Sequence, residues 1–274
     1  LLNFATKLYR ESRFICWIPY EAMQPNAVVA FGHRYLGNDT ISAFVGVFLT
    51  YPLESSKIPW QNATLIFAEA RISIFLHVGD LPATVTFSGD VAVDTEAMGL
   101  VNQRDRLCLV QLSDGCGDEH LVQFLPGQYH APNLVKLLAD PTRVKLFHFA
   151  RFDVAILQHY LGVVTTPIYC TKIASRLIRT FTERHGFKDL CKDLLGIEVS
   201  KQQQSSDWGA ETLSPEQQEY AASDVRHLHK LREKLDGMLA REGRTGLAQA
   251  CFNFLPARAE LDLAGWPEID IFAH

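Results

Sequence analysis

The sequence predicts an α/β domain: a mixed β-sheet, antiparallel meander first and parallel strands after, flanked by helices. Three observations lead there. Short β-branched and aliphatic runs between residues 72 and 124 are separated by turn residues at hairpin spacing. After residue 131 the apolar period changes from two to about 3.6, and strands then alternate with helices. A strong helix start, Ser214-Pro215-Glu216-Gln217, follows a polar loop from Ser200 to Thr212. A meander followed by alternating helices and strands puts helices over a mixed sheet.

The elements follow in order. Ile72–His77 reads as a strand, with a turn at Gly79-Asp80-Leu81-Pro82. Val91–Glu96, Arg106–Leu112 and Glu119–Phe124 are the three strands of the meander, the last two joined through Asp114-Gly115 and Gly117-Asp118. A helix starts at Ala131-Pro132-Asn133 and ends near Asp140-Pro141. Val144–Phe149 is a strand, and Phe152–Leu161 a helix stopped by Gly162. Thr166–Tyr169 is a strand fragment, and Thr171–Phe181 and Lys188–Leu195 are helices. The helix from Ser214 runs toward Leu235 as the longest, and Leu247–Leu255 is a last apolar segment.

With 274 residues, 47% hydrophobic and 21% charged, the chain holds one large domain or two small ones. The expected division is an N-terminal extension, 1–71, and a main domain, 72–274. Residues 1–71 carry Phe14, Trp17, Tyr35, Phe48 and Trp60 without period, and turn signals at Gly37-Asn38-Asp39 and Ile58-Pro59. They read as an extension without chemistry, or else a small accessory subdomain. A net charge of -5 argues against a generic basic coat for nucleic acid, though bound cations or a local basic stripe can attract it instead. The six cysteines (Cys16, Cys108, Cys116, Cys170, Cys191 and Cys251) form no C-x-x-C pair, so reduced thiols and a cytoplasmic setting are expected, and no zinc site. No apolar run spans a bilayer, the longest being around Ile41–Leu49, and no secretory signal is legible. Residue 1 is Leu, so the translation start is not visible.

The chemistry begins in Val91-Ala92-Val93-Asp94-Thr95-Glu96. Side chains alternate in a strand, so Asp94 and Glu96 point the same way at its end. Adjacent carboxylates repel and cost several kcal/mol each to desolvate, a cost that a hard divalent cation removes. The alternative is a loop-capping Asp94 beside a solvated Glu96. Asp153 follows strand 144–149, at the rim where strand ends gather ligands, or is an ordinary helix N-terminal acid. Tyr220 and Asp224 share one helix face, with Ala221 and Ala222 allowing close approach to the sheet, or are a solvated Asp beside a half-buried Tyr.

Asp94-x-Glu96, the His148–Asp153 segment and Tyr220-x-x-x-Asp224, in that order, resemble the three motifs of the DEDD 3′–5′ exonucleases. Tyr-x-x-x-Asp resembles the tyrosine branch; the histidine branch would need His where this chain has Glu219. Within that branch the sequence is similar to ribonuclease D, in Leu107–Ser113, His148, Ser206-Asp207-Trp208 and Ser214–Asp224. The resemblance covers roughly residues 74–274 and leaves out 1–71. The chain ends too soon for the helical RNA-binding modules of ribonuclease D proper, so it is similar to the short, stand-alone members.

The resemblance implies a ribonuclease H-like fold and two-metal hydrolysis of phosphodiesters, with Mg2+ or Mn2+ ions about 4 Å apart. It implies that Asp94 bridges both ions, Glu96 and Asp224 hold the nucleophile-side ion, and Asp153 the second through water. Tyr220 would orient the attacking water. It also implies that Leu100 wedges against the terminal base, although a core leucine fits the sequence equally. Gln111 contacts the terminal sugar or is a buried structural amide. His148 is a satisfied core histidine or, by its match to the family position, belongs to the pocket. Phe149 and Phe152 stack on a base or pack the helix. Trp208 pins its polar loop or meets the nucleic acid, with Ser206 and Asp207 ordering that loop near the metals. Lys172, Arg176 and Arg179, followed by Arg184, His185 and Lys188, form a basic stripe: a phosphate track or a solvated face.

The expected function is a 3′–5′ exonuclease acting on single-stranded nucleic acid 3′ ends, RNA rather than DNA, releasing nucleoside 5′-monophosphates. The rivals are a DNA exonuclease of the same mechanism, a binding adaptor without catalysis, and a small-nucleotide phosphodiesterase with a closed pocket.

Overall fold

The computed structural model describes residues 44–46, 66–68, 73–200, 202–203 and 205–273. The chain divides into two compact units, Leu1–Arg71 and Ile72–His274. In the first unit the described residues are two strands, β1 (Phe44–Gly46) and β2 (Ile66–Ala68), paired antiparallel. The aromatics and turns named for 1–71, Cys16 and the strand start at Ile72 lie outside the described residues.

The second unit is built on a six-stranded sheet: β3 (Ser73–Val78), β4 (Val91–Ala97), β5 (Leu107–Ser113), β6 (Asp118–Gln123), β7 (Lys145–Phe147) and β8 (Ile168–Cys170). Across the sheet the order is β3-β6-β5-β4-β7-β8. The meander β4-β5-β6 is antiparallel, and β7 and β8 add parallel to β4, as expected. β3 closes the other edge parallel to β6, a pairing that its own residues do not announce. All seven residues of β5 are buried, Gln111 and Ser113 included, so neither face of this central strand meets solvent.

The helices are α1 (Pro132–Ala139), α2 (Ala150–Leu161), α3 (Thr171–Ile178), the short α4 (Phe187–Leu190), α5 (Pro215–Arg226), α6 (Leu228–Arg241) and α7 (Thr245–Leu263). α4 continues into one wide turn with i→i+5 bonding, Cys191–Leu195. Buried Val91, Val93, Leu112, Leu146, Val154 and Leu157 belong to the main core.

The boundaries that differ most from the sequence reading are those of the helices. The helix starting at Ser214 has the full capping box: Ser214 Oγ accepts from the Gln217 amide and Gln217 Oε1 from the Ser214 amide. It breaks, however, at His227 (φ −108°, ψ −4°) into α5 and α6. The longest described helix is α7, which carries Pro256 inside it, so the proline masks a helix that the apolar segment only hints at. α2 begins at Ala150, two residues early, because Phe149 takes a left-handed conformation (φ 71°) that ends β7 and turns the chain. α3 ends at Ile178, with Arg179 as its C-cap.

Candidate active site

β4 delivers two acids to the rim of the sheet. Asp94 lies opposite Gln111 and Glu96 opposite Leu109, and the register shifts immediately after Glu96, bending the strand where its carboxylates are presented. α2 supplies Asp153 from its first turn, and α5 supplies Tyr220 and Asp224 from one face. One carboxylate oxygen from each of Asp94, Glu96 and Asp224 lies within 4.8 Å of the others. Asp153 is tied alongside by Thr95, whose hydroxyl donates to Asp153 Oδ1 at 2.7 Å. The sequence motifs do not include Thr95; its place between Asp94 and Glu96 is the available signal.

Electrostatics give the same grouping. Burial raises the Asp94 carboxyl well above the ordinary range, and the charges of Asp153, Asp224 and Glu96 raise it further. Glu96 is raised by burial and then by Asp224 and Asp153. Burial also raises Asp153, against the pull of the Thr95 hydrogen bond, and Asp224, against the nearby Lys188 ammonium. The described residues therefore hold four crowded, desolvated carboxyls that favour bound protons or cations. All the donors are hard oxygens, which fits Mg2+-type ions and not the softer thiolate-preferring metals.

Tyr220 is nearly buried, with its pKa raised by burial and by Asp224, Glu96 and Asp94. Its hydroxyl is thus protonated at neutral pH. Trp208 is 4% exposed, packs with Leu121, Leu213, Tyr220 and Ala221, and its ring lies 6.0 Å from that of Tyr220. The loop is further held to α5 by Gln217 Nε2 donating to the Asp207 carbonyl. Pinning is therefore what the geometry supports for Trp208. Lys188, read from sequence only as part of a basic run, has its Nζ 5.4 Å from the centre of the Tyr220 ring.

Leu100 is 84% exposed, which excludes the core-leucine alternative. Its turn is locked by Asp105, which accepts from the Val101 amide at 2.9 Å. Gly99 belongs to that lock, since a Cβ there would fall 2.3 Å from Asp105 Oδ2. Phe149 is half-exposed, with the Lys172 ammonium 4.0 Å over its ring. Phe152 is half-buried against the main core. Gln111 is fully buried, which disfavours a sugar contact. His148 Nδ1 lies 2.9 Å from Thr171 Oγ1, which itself donates to the Phe147 carbonyl, so the imidazole is the donor at Nδ1. Burial and then Lys172 push that imidazole down to about 3, and it is neutral.

The basic stripe needs correcting. Arg176 is exposed, but Arg179 is 3% exposed, ion-paired to Asp193 and donating to the Arg184 carbonyl. Arg184 pairs with Asp189, and His185 is buried against Ser175. Arg179, His185 and Arg184 are thus spent on holding the 179–193 segment, which leaves Lys172 and Arg176 of that stripe on the α3 face.

A family model described as 3′–5′ exonuclease matches residues 67–240. The chain belongs to the 3′–5′ exonuclease family. Together with its relatives, this bears out the resemblance to the DEDD-type, ribonuclease D-like exonucleases and to their ribonuclease H-like fold. Ribonuclease D of Granulibacter bethesdensis is 34% identical over 154 residues, 56% of this chain and 38% of that relative. The chain spans about two-fifths of the length of the first curated relatives it matches. The structure of Brucella melitensis NrnC bound to pGG is 55% identical, covering 74% of this chain and 99% of that one, with a TM-score of 0.72. The same protein with bound Mg2+ is 54% identical at the same coverage, with a TM-score of 0.71. No described helix of this chain is long and apolar enough to cross a membrane.

Proposed function

We propose that this protein is an exoribonuclease that shortens single-stranded RNA from its 3′ end, releasing nucleoside 5′-monophosphates. The observation that carries the reading is the convergence of Asp94, Glu96, Asp153 and Asp224, with Tyr220 beside them, from three separate elements. A binding-only protein gains nothing from such mutual repulsion. RNA is favoured by the ribonuclease D relatives, and short RNA by pGG in NrnC.

Asp94, Glu96 and Asp224 would hold one divalent cation, and Asp94 with Asp153 a second; Mg2+ is the natural ion and Mn2+ a substitute. Bound there, the ions would lower the pKa of water and neutralise the leaving 3′ oxygen. Tyr220 keeps its proton and orients the attacking water by a hydrogen bond, while Trp208 and Lys188 fix its ring. Leu100 wedges against the terminal base, and Phe149 offers a stacking face. Lys172 and Arg176 supply charge for phosphates upstream of the scissile bond. His148, neutral and held through Nδ1, lines the same pocket. Both Lys172 and Arg176 act without regard to base identity.

The test uses 5′-labelled RNA and DNA of one sequence, from two to about twenty nucleotides, with Mg2+, Mn2+ or EDTA. RNA shortening stepwise from the 3′ end with either metal, and not in EDTA, is expected. Preference for DNA of the same sequence would move the reading to a DNA exonuclease, and binding without shortening would leave an adaptor.

A further inference from the structure

Gln111 sits directly across the β4-β5 ladder from Asp94. Residues paired in this way project from the same face, with Cβ atoms about 4.5–5.5 Å apart. On its other side Gln111 pairs with Leu121, and Leu109 precedes it on the same face of β5, so apolar groups flank the amide there. α5, which carries Tyr220 and Asp224, packs over this part of β4 and β5. Gln111 is 0% exposed, and neither its Nε2 nor its Oε1 has a hydrogen-bond partner among the described residues. Leaving such groups unpaired costs about 1–3 kcal/mol each. Methionine has the same length and would fill the space without that cost.

We propose that Gln111 is a positioning residue for Asp94: its amide braces the Asp94 carboxylate from behind, in the orientation needed to share cations with Glu96, Asp153 and Asp224. Nε2 donates toward the ionised carboxylate as it moves to meet the ions, replacing repulsion from the other acids with a hydrogen bond. Full burial separates this role from substrate contact: the amide lies deeper than the half-buried Asp94, so it acts through that side chain. The inference rests on the four acids being a cation site.

The test is Gln111→Met, read by three measurements on the metal-stripped full chain. Calorimetric titration with Mg2+ is expected to show binding weakened about tenfold or more, the range seen when outer supports of metal ligands are removed. kcat on short RNA falls by a comparable factor, while KM stays within about twofold. The thermal midpoint without metal is unchanged or raised, because two unpaired polar groups have gone. A lowered midpoint with unchanged Mg2+ affinity and kcat would make Gln111 a packing amide and overturn the proposal. A raised KM with unchanged kcat and Mg2+ affinity would make it a substrate contact, with the same consequence.

A measurement on the wild type covers the case of a variant that does not fold. The Gln111 side-chain NH2 pair, followed by 15N NMR, shifts and gains protection from exchange when Mg2+ is added; an unmoved pair refutes the brace. Wild-type protein that binds Mg2+ without hydrolysing RNA removes the proposed activity but leaves the binding arm to decide Gln111. Wild-type protein that binds no Mg2+ removes both.

Discussion

At its first residue β4 lies beside a buried lysine, and toward its end it carries two of four crowded carboxylates. Lys145 pairs with Val91, is 0% exposed, and donates to the carbonyls of Asp140, Arg143 and Thr166 at 2.6, 2.7 and 2.6 Å. All three ammonium hydrogens are thereby used. At the acidic end the described residues offer four carboxyls the Thr95 hydroxyl, the main-chain amides of Thr95 and Asp153, and one nearby ammonium, Lys188, and Glu96 receives none of those hydrogen bonds. One buried charge is answered from within the fold; the others await partners from outside. Buried charge in protein interiors is normally paired or hydrogen-bonded, so a cluster left short of partners marks a binding site more sharply than its residue types do.

The largest effect expected from breaking this contrast is at Asp94. Asp94→Asn keeps the shape and removes the charge, and RNA hydrolysis should fall by about a thousandfold or more in single-turnover assays, the loss of several kcal/mol of transition-state stabilisation. The same substitution should raise the thermal midpoint of the metal-free protein, because repulsion is relieved. Tyr220→Phe is expected to leave a slow enzyme, with Mg2+ binding intact. Near-wild-type activity in the Asp94 variant would remove the assignment.

Lys145→Met should do the reverse. Three carbonyls lose their donor, so urea denaturation should show a loss of about 3 kcal/mol or more, at about 1 kcal/mol per bond, while kcat per folded molecule is unchanged. A stable variant would mean that those carbonyls find other partners.

pH sharpens the difference because the two ends have opposite signs. Free carboxyls titrate near 4, whereas Asp153 and Asp224 are raised to about 7 in the fold. The native state then holds protons that the unfolded chain has released, so metal-free stability is greatest below pH 4 for these groups and falls as pH rises through 7. Lys145 is pushed by burial down to about 8, below the unfolded lysine value. Its contribution therefore improves as pH rises above 8 toward the unfolded value, where the unfolded chain holds the extra proton. Thermal melts across pH with and without Mg2+ check this: Mg2+ should flatten the acid-derived slope and leave the lysine slope unchanged.

The smallest effect expected is on the basic face. Arg176→Ala should weaken RNA binding severalfold and reduce its salt dependence by about one counterion, with stability unchanged. Arg179→Ala should instead lower stability, since its guanidinium holds Asp193 and the Arg184 carbonyl, and should leave the salt dependence alone.

The sheet and the acidic site were legible because their signals are local. Two carboxylates at i and i+2 on a strand, and a tyrosine and an aspartate at i and i+4 on a well-capped helix, fix faces without tertiary knowledge. What escaped depends on partners distant in sequence. Arg179 reads as one more surface cation until Asp193 turns it inward, and nothing local marks Lys145 as buried, since the three carbonyls that surround it come from other turns. The break at His227 carries no glycine or proline, and α7 runs through the proline that local rules take as a stop. Thr95 has no local signal of its own beyond its place between two acids, because its hydroxyl matters only once Asp153, far along the chain, arrives beside it.

The most direct measurement is calorimetric titration of the metal-stripped protein with Mg2+ at pH 7, in two buffers of different ionisation enthalpy. Two ions per chain are expected, with protons released on binding, and with Asp94→Asn losing both ions. No Mg2+ binding at millimolar concentration, or binding unaffected by Asp94→Asn, would contradict a cation site shared among Asp94, Glu96, Asp153 and Asp224.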